Sequence, residues 1–141
     1  MTRGAVTVVD GVVDAIVRHA RAESPRECCG LLVGSGGRIE ESVPTTNMDP
    51  DPCRFRVDPH AHIELNRHLR GSGREVIGVY HSHPVGRPEP SPSDVAEAMY
   101  PEFLHVIVSL AGPAPDIRAF RITRDIVVNL AIEPEAERTR S

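Results

Sequence analysis

The chain has 141 residues, 40% of them hydrophobic and 26% charged, with 16 basic against 20 acidic side chains and a net charge of −4. That length suits one domain around one ordinary core. The acidic balance gives no electrostatic pull toward a phosphate backbone, and no apolar run approaches the ~18 residues of a membrane span, so neither nucleic acid nor membrane is expected as a partner.

The segment from Met1 to Asp10 lacks the long apolar stretch and small-residue cleavage site of a secretory signal, so a cytoplasmic location is expected. All 16 basic residues are arginine. Without lysine, no side-chain amine of this chain can carry an isopeptide link, although the chain can act on such links elsewhere. Cys28, Cys29 and Cys53 form no disulfide framework and read as reduced thiols, with a redox role for Cys28 or Cys29 as the weaker alternative.

In chain order, residues 5–9 read as a first strand. Val13, Ile16, Val17 and Ala20 fall at helical spacing, so a helix over about 10–22 is expected, with Asp10 as its N-cap. Ser24-Pro25 breaks the chain. Cys28 to Val33 is a compact apolar run that reads as a buried strand, turned by Gly34-Ser35-Gly36-Gly37 into a partner over 38–43. Residues 44–53 are a loop by composition, and 55–57 a short strand. Asp58-Pro59 caps and starts a helix to about residue 70, ended by Gly71-Ser72-Gly73. Val76 to His83 is the best central strand. A proline-rich loop over 84–90 leads to a helix opened by Ser91-Pro92-Ser93-Asp94 and running to about Tyr100. Three strands follow, at 104–110, 117–122 and 125–132. The domain is expected over 1–132, with 133–141 a polar tail. Strands interleaved with three helices give an α/β (α+β) domain with a mixed sheet.

The chemistry concentrates in residues 81–94. On a strand, a spacing of two points His81 and His83 to the same face. Two neutral imidazoles on one rigid strand suit a zinc ion, and Asp94 is the nearest carboxylate with a fixed position. Two histidines and one carboxylate leave a fourth tetrahedral position open, which is the catalytic rather than the closed structural arrangement. The prolines at 84, 88, 90 and 92 limit the entropy lost in ordering the intervening loop. Each residue also has an ordinary explanation. A lone strand histidine usually satisfies a core or a surface. Serine at N-cap, proline at N1 and an acid at N3 make a helix start. Glu27 by itself reads as a solvated or ion-paired acid.

Taken together, His81, His83, Ser91 and Asp94 fit the ungapped pattern His-x-His-x(7)-Ser-x(2)-Asp. This resembles the motif of the JAMM (MPN-plus, Mov34/PAD-1) metalloproteases, and Pro25-Arg26-Glu27-Cys28-Cys29-Gly30-Leu31-Leu32-Val33-Gly34 resembles the bacterial family's stretch around its upstream glutamate. The resemblance spans nearly the whole chain. It implies a single MPN/JAMM-type domain with a curved mixed sheet flanked by about three helices, cytidine-deaminase-like. It further implies one Zn2+ on His81, His83 and Asp94, with Glu27 as general base and Ser91 stabilising the tetrahedral intermediate.

The implied reaction is hydrolysis of a peptide or isopeptide bond after the C-terminal Gly-Gly of a small ubiquitin-like protein. Small bacterial members are similar to enzymes that trim sulfur carriers, with release of cysteine as one option. A broader isopeptidase acting on protein lysines is the alternative, and a non-catalytic MPN scaffold a third. His19, His60, His62, His68 and His105 are assigned no site, and Arg87 and Glu89 are expected in a solvated loop.

Overall fold

The computed structural model describes residues 2–135 apart from 97, 99 and 125. Its elements are β1 (Thr2–Val8), α1 (Val12–Glu23), β2 (Cys29–Ser35), β3 (Arg38–Thr45), α2 (Pro59–Leu69), β4 (Glu75–His83), α3 (Pro92–Ala96), β5 (Leu104–Ser109), β6 (Asp116–Thr123) and β7 (Ile126–Pro134). None of the described helices is long and apolar enough to cross a membrane.

The apolar runs of β2, β4 and β5 lie side by side and are covered on both faces. On one face, Val12, Ile16 and Ala20 of α1 pack among Leu32, Tyr80, Val106 and Val108. On the other, Leu69 of α2 joins Leu31, Val33, Val76 and Phe103. Two-sided burial explains why these strands read as continuous apolar runs instead of alternating. The pairing is tight. A Cβ on Gly30 would lie 2.2–2.5 Å from the ring and hydroxyl of Tyr80, the residue directly across in β4. That buried hydroxyl meets His19 Nδ1 at 2.7 Å, which satisfies it inside the core.

The strand order is β1-β3-β2-β4-β5-β6-β7, closed into a barrel. β1 runs parallel to both β3 and β7, and β4 parallel to β5; the remaining pairs are antiparallel. The mixed sheet and three helices agree with expectation. Closure of that curved sheet into a barrel was not foreseen: β1 joins its two edges. Its partners lie far along the chain, and local patterning carries no trace of them.

Several boundaries also move. The cap of α1 is Gly11, at φ 90°, with no side-chain cap, instead of Asp10. A left-handed entry favours glycine over an acid that would cap from extended backbone. Residues 55–57 form only an isolated bridge between Asn47 and Val57, because Asn47 fastens this segment through side-chain bonds. α3 stops at Ala96; Ala98 and Tyr100 are not helical, and residues 97 and 99 lie outside the described set. β7 continues to Pro134, where Glu135 then donates a backbone bond to Val8. Residues 136–141 of the expected tail lie outside the described residues. Asp58 caps α2 as expected, accepting from His60 N at 2.9 Å.

Candidate metal centre

The site forms where β4 ends. His81 and His83 project from the face that also carries Val79, and both are buried. In the antiparallel register Cys29 sits opposite His81, so Glu27, two residues earlier, comes up beside His83. The segment that follows β3 fixes Glu27. Asn47 donates to the Glu27 carbonyl at 2.9 Å and to that of Arg54 at 2.8 Å, while the Glu27 amide donates to Pro52 at 2.9 Å. The same segment lays Phe55 flat on His81, with centroids 4.1 Å apart and planes 16° from parallel.

α3 supplies the rest. Asp94 N donates to Ser91 Oγ at 3.1 Å and Ser91 N donates to Asp94 Oδ2 at 2.8 Å, a reciprocal capping box. The Ser91 hydroxyl proton has no acceptor among the described residues. Asp94 Oδ2 lies 3.1 Å from His81 Nε2 and 3.2 Å from His83 Nε2, and the two nitrogens are 3.0 Å apart. Ligand atoms of Glu27, His81 and His83 fall within 4.8 Å of one another.

Three donor atoms at these separations fit a metal ion. A tetrahedron centred about 2.0–2.1 Å from N and O ligands has edges of about 3.3–3.4 Å. The tautomer fits too. His83 Nδ1 lies 2.6 Å from the Arg87 carbonyl. A carbonyl only accepts, so Nδ1 carries the proton and a neutral His83 presents its Nε2 lone pair. His81 Nδ1 has no partner among the described residues, so stacking on Phe55 orients that ring.

The electrostatics point the same way. Burial, above all, pushes the Glu27 carboxyl up to about 8; His83 offsets this in part, while Asp94, Asp51 and Asp49 add to it. Burial also works against the Asp94 charge, but His81 and His83 outweigh it and hold that carboxyl below the usual range. His81 is lowered by burial against the pull of Asp94. His83 is raised: Asp94 and the Arg87 carbonyl outweigh its burial. Two carboxyls and two imidazoles converging in a buried pocket make a donor set that suits a cation, whose charge would favour ionisation of the raised Glu27 carboxyl.

All five residues singled out from the sequence therefore meet here. Phe55, Asn47 and the Arg87 carbonyl were not foreseen. Backbone acceptors leave no mark in a sequence, and Phe55 reads there as part of a short strand over 55–57, with nothing to mark it as the ring that stacks on His81. The Arg87 and Glu89 side chains are exposed, as expected. Of the remaining histidines, His62 packs against Phe103 and Tyr100. His105 is buried, its Nε2 without a partner among the described residues, and burial first, then His81, lowers it to about 4. Cys28 and Cys29 are free and buried. Burial pushes the Cys28 thiol up to about 11 and raises Cys29 as well, which disfavours the reactive thiolates.

Residues 9–123 match the family described as prokaryotic homologs of the JAB domain. The chain belongs to that family. It is 34% identical to the CysO-cysteine peptidase of Mycobacterium tuberculosis, covering 79% of this chain and 78% of the relative. It is 31% identical to a probable TtuB-protein conjugate cleaving protease of Thermus thermophilus (86% and 79% covered) and 29% identical to a desampylase of Haloferax volcanii (79% and 86%). A solution structure from Desulfitobacterium hafniense superposes with a TM-score of 0.84 at 32% identity over 94% of each chain. The fold is also that of a structure described as a JAMM metalloprotease-like zinc site in the proteasome and signalosome, with a TM-score of 0.55 at 20% identity, 91% of this chain and 97% of the other being covered. With the peptidase and protease activities named for these relatives, the chain is a hydrolase of the JAMM type.

Proposed function

We propose that this chain is a cytoplasmic zinc peptidase that hydrolyses the bond following the C-terminal Gly-Gly of a small ubiquitin-like sulfur-carrier protein and releases the residue beyond it, cysteine being the leading candidate. The observation that carries the reading is the buried Glu27 carboxyl, two residues ahead of β2, brought against His81 and His83 of β4. His81, His83 and Asp94 would hold one zinc ion per chain. Zinc bound there supplies Lewis acidity, polarising a carbonyl and bringing the ionisation of water to about pH 7.

The protein's own groups do the rest. Glu27 takes a proton from the attacking water and later delivers it to the leaving amine. Its burial keeps bulk water from competing for that proton. The uncommitted hydroxyl of Ser91 donates to the carbonyl oxygen as negative charge develops, while its Oγ stays fixed by the Asp94 amide. The Arg87 carbonyl and Phe55 hold the two imidazoles in place. The cytidine-deaminase-like relationship belongs to this reading as well; a histidine-rich site at the end of a central mixed-sheet strand supports it.

The test uses zinc-loaded protein and two adducts, a carrier ending Gly-Gly-Cys and a carrier joined through Gly-Gly to a lysine side chain. Wild type is expected to cut the linear adduct. Glu27→Ala is expected to retain metal and lose about 10²–10⁴ of turnover. Full activity in that variant would remove Glu27 from the chemistry, and failure of metal-loaded wild type on both adducts would end the reading. The relatives named for conjugate cleavage and desampylation favour a second reading, a broader isopeptidase. Faster cutting of the lysine adduct would select it.

A further inference from the structure

A cavity of about 160 Å³ adjoins Glu27 where β2 begins and β3 ends. Its lining includes Glu23, Arg26, Glu27, Thr45, Thr46 and Asn47. A base that hands its proton to the leaving amine must lie against the leaving residue. The cavity that Glu27 lines is therefore where that residue can go.

Arg26 is the unusual member of this lining. It is half-buried, and its Nη2 donates to two backbone carbonyls, those of Asn47 at 3.5 Å and of Asp49. Guanidinium has five N–H donors, so three remain. No carboxylate of the described residues pairs with Arg26. Its other charged neighbours are mainly acidic: Glu23 lines the same cavity, and Asp49 and Asp51 act on Glu27. Arg54 is engaged with Asp49, at 3.9 Å. An unpaired, half-buried cation is costly unless an anion joins it. A free carboxylate entering here would meet repulsion from the acids and attraction from Arg26. The Thr46 hydroxyl, without a partner among the described residues, is placed to add a hydrogen bond.

We propose that Arg26 is a specificity-determining residue that binds the free α-carboxylate of a single C-terminal residue released from the carrier. A leaving group that continues as polypeptide has no carboxylate at that position, so Arg26 favours linear, one-residue adducts over lysine isopeptides. This rests on the peptidase reading above.

The test compares kcat/KM of the zinc-loaded protein on three adducts: carrier-Gly-Gly-Cys with a free carboxylate, the same adduct as its C-terminal amide, and the lysine isopeptide. Wild type is expected to prefer the free acid over the amide by about tenfold or more, the worth of a hydrogen bond to a charged group. In Arg26→Gln that preference should shrink to about twofold or less through loss of the acid substrate alone, and Arg26→Lys should restore part of it. Equal cutting of acid and amide by wild type overturns the proposal. So does a parallel fall of all three substrates in Arg26→Gln, which would mark a purely structural role in holding the loop. If wild type cuts none of the adducts, the peptidase reading has failed, and binding then decides Arg26. NMR titration with L-serine and L-serinamide, thiol-free mimics of the leaving residue, should move wild-type resonances with the acid only and leave Arg26→Gln unmoved. Equal response to both, or response to neither, counts against it.

Discussion

The two halves of the site are held by different physics. His81 and His83 stand on β4, which the core grips from both faces and whose last four residues are all buried. Asp94 and Ser91 stand on α3, a five-residue helix with no buried residue. Packing fixes the first half. Local hydrogen bonds fix the second: the capping box, His83 on the Arg87 carbonyl, and Ser109 Oγ donating to the Gly86 carbonyl. The strand half should therefore yield only when the fold yields, whereas the loop half can be loosened with the fold intact.

The largest effect is expected from Gly30→Val, which drives a side chain into Tyr80. Overpacking of this kind typically costs 1–3 kcal/mol, and about 3 or more is expected here because the obstacle is a ring inside a two-sided core. Urea unfolding should show the loss, and metal affinity should fall with it, since His81 lies one residue along from Tyr80. A stable Gly30→Val protein with normal metal affinity would break the comparison.

Ser91→Ala tests the other half. Losing the cap costs about 0.5–2 kcal/mol locally, yet α3 contributes no residue to the apolar core, so the urea midpoint should barely move. Turnover should drop on the order of a hundredfold through loss of the oxyanion donor. A large shift in the midpoint would mean that α3 is part of the cooperative core.

A third effect lies in pH. In metal-free protein the Glu27 carboxyl is raised to about 8 from an ordinary 4.5. Between those values the folded state keeps a proton that the unfolded chain has released, so stability should fall as pH rises toward 8. His83, raised above 6.5, acts in the same direction; His105, lowered to about 4, acts oppositely but only below about 6.5. Urea titrations between pH 6.5 and 8 should show the fall, and Glu27→Gln should flatten it. An unchanged slope in that variant would assign the effect elsewhere.

The smallest effect is expected from Arg87→Ala. The site uses only the carbonyl of this residue, so metal affinity measured by competition with a chelator should stay within about threefold of wild type. A larger loss would show that the exposed guanidinium also supports the site.

Much of the site was legible in the sequence because its signals are local. A spacing of two on an apolar strand puts His81 and His83 on one face whatever the strand pairs with. Ser91, Pro92 and Asp94 encode their own helix start. Asp58 and Pro59 do the same for α2. Glu27 was legible only through the family pattern, because its approach to His83 depends on Cys29 pairing with His81, and register across distant strands is not written in either strand alone. Phe55 shows the limit: it reads as one residue of a short strand, and nothing local marks it as the ring that lies on His81.

The sequence by itself determined the residue types, their order, the strand and helix that present them, and the acidic, lysine-free character of the chain. Tertiary structure alone decided that β1 closes the barrel, that Glu27 meets the histidines, that a backbone carbonyl fixes the His83 tautomer, and that Arg26 faces a cavity with no carboxylate partner among the described residues. The physical reason is range. Periodicity, capping and turn chemistry act over a few residues. Strand register, burial and the pairing of charges act between segments whose separation along the chain says nothing about their distance in space.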